Sequence, residues 1–116
     1  MKKEYRIKKA REIDCVFNKK KSSGNDSFVI YISDSENEHF RYSISIGRKY
    51  GNAVSRNLCK RRIREIVHAN KDYITNKDLV IVVKKDASKL SYKMMKTKIE
   101  ELLVKLKLME RKDEKE

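Results

Sequence analysis

Apolar positions recur along this chain at two spacings, and the switches between them mark its elements. From about Lys8 to Lys20, Ala10, Ile13, Val16 and Phe17 fall at i, i+3, i+6 and i+7, which predicts a short amphipathic helix. The polar run Ser22-Ser23-Gly24-Asn25-Asp26 breaks it. Phe28 to Ile32 is rich in β-branched and aromatic residues and reads as a strand, with Phe28, Ile30 and Ile32 on one face and Val29 and Tyr31 on the other. After a polar turn from Asp34 to Glu38 the alternation resumes. Phe40, Tyr42, Ile44 and Ile46 point one way, and Arg41, Ser43, Ser45 and Gly47 the other. That is a half-buried strand whose second face is small and polar.

The spacing changes again after Gly51. Cys59, Ile63, Ile66 and Val67 stand at i, i+4, i+7 and i+8, the stripe of a helix facing a core. Leu79 to Val83 is apolar on both sides and predicts a central strand. A last helix from about Ser91 spaces Met95, Ile99, Leu102, Leu106 and Met109 by four, three, four and three, a stripe of core residues. The order is helix, strand, strand, helix, strand, helix. Pairing the 40–48 strand in parallel with the 79–85 strand across the middle helix gives an α+β layer. Residues 1–109 read as a single domain, and 110–116 as a charged tail that frays.

Charge decides what kind of domain this is. With 30 Lys and Arg against 17 Asp and Glu in 116 residues, the formal charge is +13, and self-repulsion on that scale points to a polyanion as habitual partner. The cations concentrate on the middle helix and its approach: seven lie between Arg48 and Arg64, and no acidic residue falls between Glu38 and Glu65. Arg56, Asn57, Lys60, Arg61 and Arg64 sweep the arc beside the core stripe. A helix anchored along one side with cations of one sign on the next can track a phosphate backbone.

Other classes are disfavoured. No apolar run approaches the roughly 18 residues of a spanning helix, and the charged start, Met1-Lys2-Lys3-Glu4-Tyr5-Arg6, leads into no signal-peptide core, so a cytoplasmic protein without a membrane partner is expected. The two cysteines, Cys15 and Cys59, lie far apart and outside any zinc-binding spacing. The carboxylates are scattered, His39 and His68 are single, and Gly24, Gly47 and Gly51 form no phosphate loop. No catalytic group is expected from the protein.

The segment Gly51-Asn52-Ala53-Val54-Ser55-Arg56-Asn57-Leu58-Cys59-Lys60-Arg61-Arg62-Ile63-Arg64 resembles the signature of the bacterial ribonuclease P protein subunit. That signature runs Gly-Asn-Ala-Val, one residue, Arg-Asn-Arg, then Lys-Arg and a further Arg. Arg6-Ile7-Lys8-Lys9, Val16-Phe17, Phe28-Val29-Ile30-Tyr31, Ser45-Ile46-Gly47-Arg48-Lys49, Lys77-Asp78-Leu79-Val80-Ile81-Val82 and Ala87-Ser88 also look like family segments in order, over about residues 5 to 106.

The resemblance implies a small α/β sandwich related to a ribosomal-protein domain. Its order is α-β-β-α-β-α, with room for a third strand before the basic helix, and its βαβ crossover is left-handed against the usual right-handed rule. It implies a protein that pairs with a large catalytic RNA to remove the 5′ leader of precursor tRNA, with Mg2+ held mainly by the RNA and no protein partner required. Carried over residue by residue, Arg48, Lys49, Arg56, Asn57, Lys60, Arg61 and Arg64 would meet the catalytic RNA or the nearby precursor tRNA. A cleft with Phe17, Tyr31, Ile13, Lys84 and Lys85 would take the single-stranded leader. Ile13 stands where many members carry a second aromatic. Leu58 stands where the second motif arginine is expected, with Arg62 one turn on. The competing readings are a structural ribosomal or general RNA-binding protein, which would share the charge and fold but not the ordered motifs, and a self-sufficient nuclease.

Overall fold

A computed structural model describes residues 5–35 and 38–106. Three helices and a four-stranded sheet follow one another as α1 (Ala10–Asn18), β1 (Ser22–Gly24), β2 (Phe28–Asp34), β3 (Arg41–Ile46), α2 (Ala53–Ala69), β4 (Lys77–Val83) and α3 (Tyr92–Lys105). Single 3-10 turns, Arg48–Tyr50 and Lys85–Lys89, lead out of β3 and β4. The sheet order is β1-β2-β4-β3. β4 lies between an antiparallel β2 and a parallel β3, so the strand apolar on both faces is central. The parallel pair β3 and β4 is joined through α2, the predicted crossover.

One face of the sheet holds the main core. Phe28, Ile30 and Ile32 of β2, Tyr42 of β3, and Leu79, Ile81 and Val83 of β4 pack with Cys59, Ile63, Ile66 and Val67 of α2 and Met95, Ile99, Leu102 and Leu103 of α3. Every residue of the predicted α2 stripe is buried. So are Met95, Ile99 and Leu102 of the last stripe, while Leu106 is half-buried and Met109 lies outside the described residues, as does the 110–116 tail. Side-chain caps start both long helices: the Asn52 side-chain oxygen Oδ1 accepts from the Ser55 amide at 2.8 Å, and the Ser91 hydroxyl accepts from the Met94 amide at 3.3 Å.

Among the described residues α1 alone covers the other face, and α1 departs from the expectation set by its spacing. It is shorter than the predicted 8–20 span, and only Val16 is buried; Ala10 is exposed, and Ile13 and Phe17 are half-buried. Arg41 holds it to the sheet. Its guanidinium donates to Asp78 at 3.1 and 2.9 Å and reaches Glu12 of α1 at 3.4 Å.

The segment read as a break is half strand. Ser22–Gly24 pairs antiparallel with β2 as a short polar edge, and the Ile32 amide extends the ladder to the Lys21 carbonyl at 2.9 Å. Backbone pairing, not side-chain propensity, makes this strand, and short polar edges resist pairing with other chains. Gly24 is required there, because a Cβ would come within 2.9 Å of Val29 Cγ2 and 3.2 Å of the Phe28 carbonyl oxygen. The turn that follows is built on Asn25. Its side-chain oxygen accepts from the Ser27 and Phe28 amides at 3.0 and 2.9 Å, and its side-chain nitrogen donates to the Lys98 carbonyl at 3.2 Å.

Candidate nucleic-acid interface

The cations of α2 and its approach are brought together along the arc beside its buried stripe. Arg48, Lys49, Asn57 and Arg61 are exposed, and Arg56, Lys60 and Arg64 half-buried. The sequence folds this way because the cap at Asn52 fixes the helix start and the stripe from Cys59 to Val67 fixes its rotation. Arg56 is also held in place, its guanidinium donating to the Gly51 carbonyl at 2.9 Å. Among the described residues, Arg61 alone of these seven has a carboxylate partner, Glu65 at 3.9 Å. With side chains 75% and 57% exposed, that i, i+4 pair contributes little and is easily exchanged for a phosphate. The face is one of unneutralised positive charge.

Leu58, at the position of the expected second arginine, is 44% exposed, and Val54 one turn earlier is 77% exposed. Arg62, one turn on from Leu58, is half-buried. Its charge acts on Tyr50 and Cys59, which share a hydrogen bond under the start of the helix. Burial pushes the Tyr50 phenol up to about 12, and burial likewise raises the Cys59 thiol, so both stay neutral.

The second set of residues gathers on the face that α1 only partly covers. Phe17 and Tyr31 meet edge-to-face with ring centroids 4.8 Å apart and an interplanar angle of 76°. Tyr31 pairs with Val80 in register, and Val29 with Val82. Strand alternation places Tyr31, Val29, Val80 and Val82 on this same face, followed by Lys84 at the strand end, about 13 Å from Val80. Tyr31, Val29 and Val82 are half-buried. The result is a shallow apolar strip with aromatics at one end and a lysine at the other. Lys84 donates to the Asn25 carbonyl at 2.7 Å, which fixes its position, while Lys85 is exposed in the 3-10 turn. Ile13 and Phe17 belong to α1, and their half-burial leaves them able to touch a ligand.

Sequence reasoning missed Val29 and Val82 as the floor of this strip and Arg41 as the anchor of its helix. The only signal was the small, polar second face of β3, where Ser43 and Ser45 leave room beside the strip. Among the described residues no three His, Cys, Asp or Glu side chains gather where a metal ion could be held. Several carboxylates are engaged by cations: Asp78 and Glu12 by Arg41, Asp26 by Lys98, and Asp34 by Lys77. No helix of the described residues is long and apolar enough to cross a membrane.

A basic helix laid across a four-stranded sheet, with a separate aromatic strip behind it, defines a small α+β protein with the charge of a nucleic-acid binder. The ribonuclease P family model matches residues 1–107. The ribonuclease P protein component of Acholeplasma laidlawii is 50% identical over 112 residues, which are 96% of this chain and 97% of that one. Among solved structures, the RNase P protein of Staphylococcus aureus superposes with a TM-score of 0.87 at 35% identity, covering 90% of this chain and 97% of that one. The RNase P protein of Thermotoga maritima gives 0.80 at 30% identity, over 86% and 96%. The chain belongs to the ribonuclease P protein family, and as the protein component of that enzyme it works with the ribonuclease P RNA.

Proposed function

We propose that the two surfaces divide the work of binding. The face of Arg48, Lys49, Arg56, Asn57, Lys60, Arg61 and Arg64 docks on the catalytic RNA, and the strip between Phe17 and Lys84 takes the single-stranded 5′ leader of precursor tRNA. The observation that carries this reading is their placement on opposite sides of one sheet, α2 over the main core face and the aromatic pair on the α1 face. A rigid sheet between them lets the protein hold the RNA with one side and a strand from the substrate with the other. Aromatic edges and half-buried valines offer stacking and apolar contact that tolerate any base, as a leader of variable sequence requires.

In this reading the RNA performs the cleavage. Mg2+ held by the RNA would supply the charge neutralisation and the activated water of phosphodiester hydrolysis. Among the described residues the protein's carboxylates do not gather into a donor set for an ion of the protein's own. Its contribution is cations where two RNA backbones approach and a platform that positions the leader. The cytoplasm, where tRNA is matured in bacteria, is the compartment this reading assigns.

The test combines the protein with ribonuclease P RNA at low Mg2+ and compares precursor with mature tRNA. The protein should stimulate 5′ processing. Phe17→Ala and Tyr31→Ala should weaken binding of the precursor, by about 1–3 kcal/mol per lost base stack, and leave mature tRNA nearly unaffected. Truncating a packed Phe also costs stability, so melting temperature is measured alongside. Equal losses for both tRNA forms would remove the leader from this strip.

A further inference from the structure

Just past the aromatic end of the strip, α1 gives way to three consecutive lysines. Lys19, Lys20 and Lys21 are all exposed, and among the described residues none of them has a carboxylate within ion-pair distance. Their backbone is fixed. The Lys19 amide donates to the Val16 carbonyl at 3.3 Å, the Lys20 amide donates to the Phe17 carbonyl at 3.1 Å, and the Lys21 carbonyl accepts from the Ile32 amide at 2.9 Å. Lys20 turns the chain from helix to strand with φ at 58°, the only positive φ outside glycine among the described residues. Glycine would take that conformation without strain, whereas an L side chain there is disfavoured. A strained position therefore carries a charge where glycine would fit better, and outliers of this kind gather at sites of function.

Strand register places the lysines relative to the strip. Ser22 stands opposite Tyr31, and β1 runs from there towards the Lys84 end, so Lys21 lies on the far side of the aromatic pair. It is level with Ile32 and Leu79, about 17 Å along the sheet from Lys84. The strip is thus bounded by cations at both ends. The two ends differ in their neighbours. Next to Lys84, the 3-10 turn after β4 packs against the turn that leads into α2, so this end adjoins the basic helix, and the lysine turn is the end remote from it. Asp34 is the carboxylate nearby. Lys77 holds its pKa below the usual range, and the fields of Lys21 and Lys19 add to the effect. The negative end of α1 amounts to about half a charge, so it and Asp34 together leave the turn positive.

We propose that Lys19, Lys20 and Lys21 hold backbone phosphates of the distal part of the 5′ leader, beyond the nucleotides that lie on the strip. The proposal rests on the reading of the strip as the leader site and extends that site past Phe17. Phosphates repeat along any sequence, so the contact reads leader length and not base identity. Its lysines stand in open solvent, so it is strongly screened by salt.

The probe is precursor tRNA with leaders lengthened one nucleotide at a time, bound by the complex of the protein with ribonuclease P RNA. Affinity of the parent should rise as the leader grows past the aromatic pair and then level off. Lys19→Gln, Lys20→Gly and Lys21→Gln combined should abolish that last rise, a loss of about fivefold, the scale of exposed ion pairs. Short-leader precursor and mature tRNA should bind this variant as they bind the parent. Its melting temperature should stay close to the parent's, because glycine at position 20 relieves the left-handed strain. Asp34→Asn should act in the opposite sense and strengthen binding of long leaders alone, since it removes the nearby negative charge and releases Lys77.

Phe17→Ala separates this proposal from the one beneath it, because it should weaken short and long leaders alike. If Phe17→Ala discriminates precursor from mature tRNA and the lysine variant is silent at every length, the distal site falls and the strip stands. If Phe17→Ala is silent at every length, the strip reading falls and the distal site with it. An equal loss by the lysine variant for mature tRNA and for all leaders would put these lysines on the catalytic RNA or the tRNA body, and would overturn the proposal.

Discussion

Replacing Arg41 by Met should cost the protein much of its stability and loosen the leader strip with it. Arg41 and Asp78 are register partners on β3 and β4, joined by a two-pronged contact at 3.1 and 2.9 Å. Their side chains are 17% and 11% exposed, so removing the arginine strands a carboxylate with little water to solvate it. Breaking a buried pair from one side costs about 3–5 kcal/mol, and the residual exposure here favours the lower end, about 3 kcal/mol. For a domain of this size that lowers the melting temperature by about 12 °C. The Glu12 prong is longer, 3.4 Å, and its side chain is 38% exposed, so Glu12→Gln should cost under about 1 kcal/mol. The assay is denaturant unfolding of Arg41→Met, Asp78→Asn and the double variant. With the carboxylate neutralised, losing Arg41 leaves no stranded charge, so the double variant should recover about 1.5–3 kcal/mol relative to the sum of the singles. Since Arg41 also ties α1 to the sheet, Arg41→Met should weaken precursor tRNA binding more than mature tRNA binding. Strictly additive single effects, or a loss below about 1 kcal/mol for Arg41→Met, would refute the anchor.

Affinity for the RNA should fall steeply with salt, and Arg56→Ala with Arg64→Ala should flatten the log–log slope by about two units, one for each phosphate left unneutralised; an unchanged slope would take α2 off the RNA face. At high pH, Tyr42 and Tyr50 should ionise after ordinary tyrosines, because burial raises both, Tyr50 to about 12. The folded state holds these phenols neutral, so the stability linked to them is fully present below the ordinary tyrosine pKa of about 10 and is lost as pH rises through about 12. Alkaline titration of the phenolate absorbance checks this, and Tyr50→Phe should remove the latest phase; its persistence would place that phase on another group.

Periodicity alone located the elements that bury the most surface. The stripe Cys59, Ile63, Ile66 and Val67, the doubly apolar run from Leu79, and the alternation from Phe40 each state which face must leave water, and that requirement acts at any place in the fold. The one-signed charge of α2 was legible for the same reason: once the stripe sets the helix rotation, the cations have one arc left to occupy. Ordered motifs then gave the family, which the match over residues 1–107 bears out.

What tertiary structure decided were features made by partners distant in sequence. β1 exists because β2 offers it a ladder, not because Ser22-Ser23-Gly24 prefers a strand. Phe17 is left half-buried because α1 is the one helix over its face of the sheet, whereas its helical spacing with Val16 made it look like core. Arg41 reads as a polar position on a strand, and its job depends on Glu12 and Asp78, 29 and 37 residues away. Tyr42 is a core-facing residue by alternation, yet only folding brings Arg6, Lys60 and Arg64 to one pocket with it. Burial is a property each residue carries in its own chemistry, so sequence pattern reveals it. Pairing depends on where the chain brings the second group, and that is settled only when the sheet and helices close on one another.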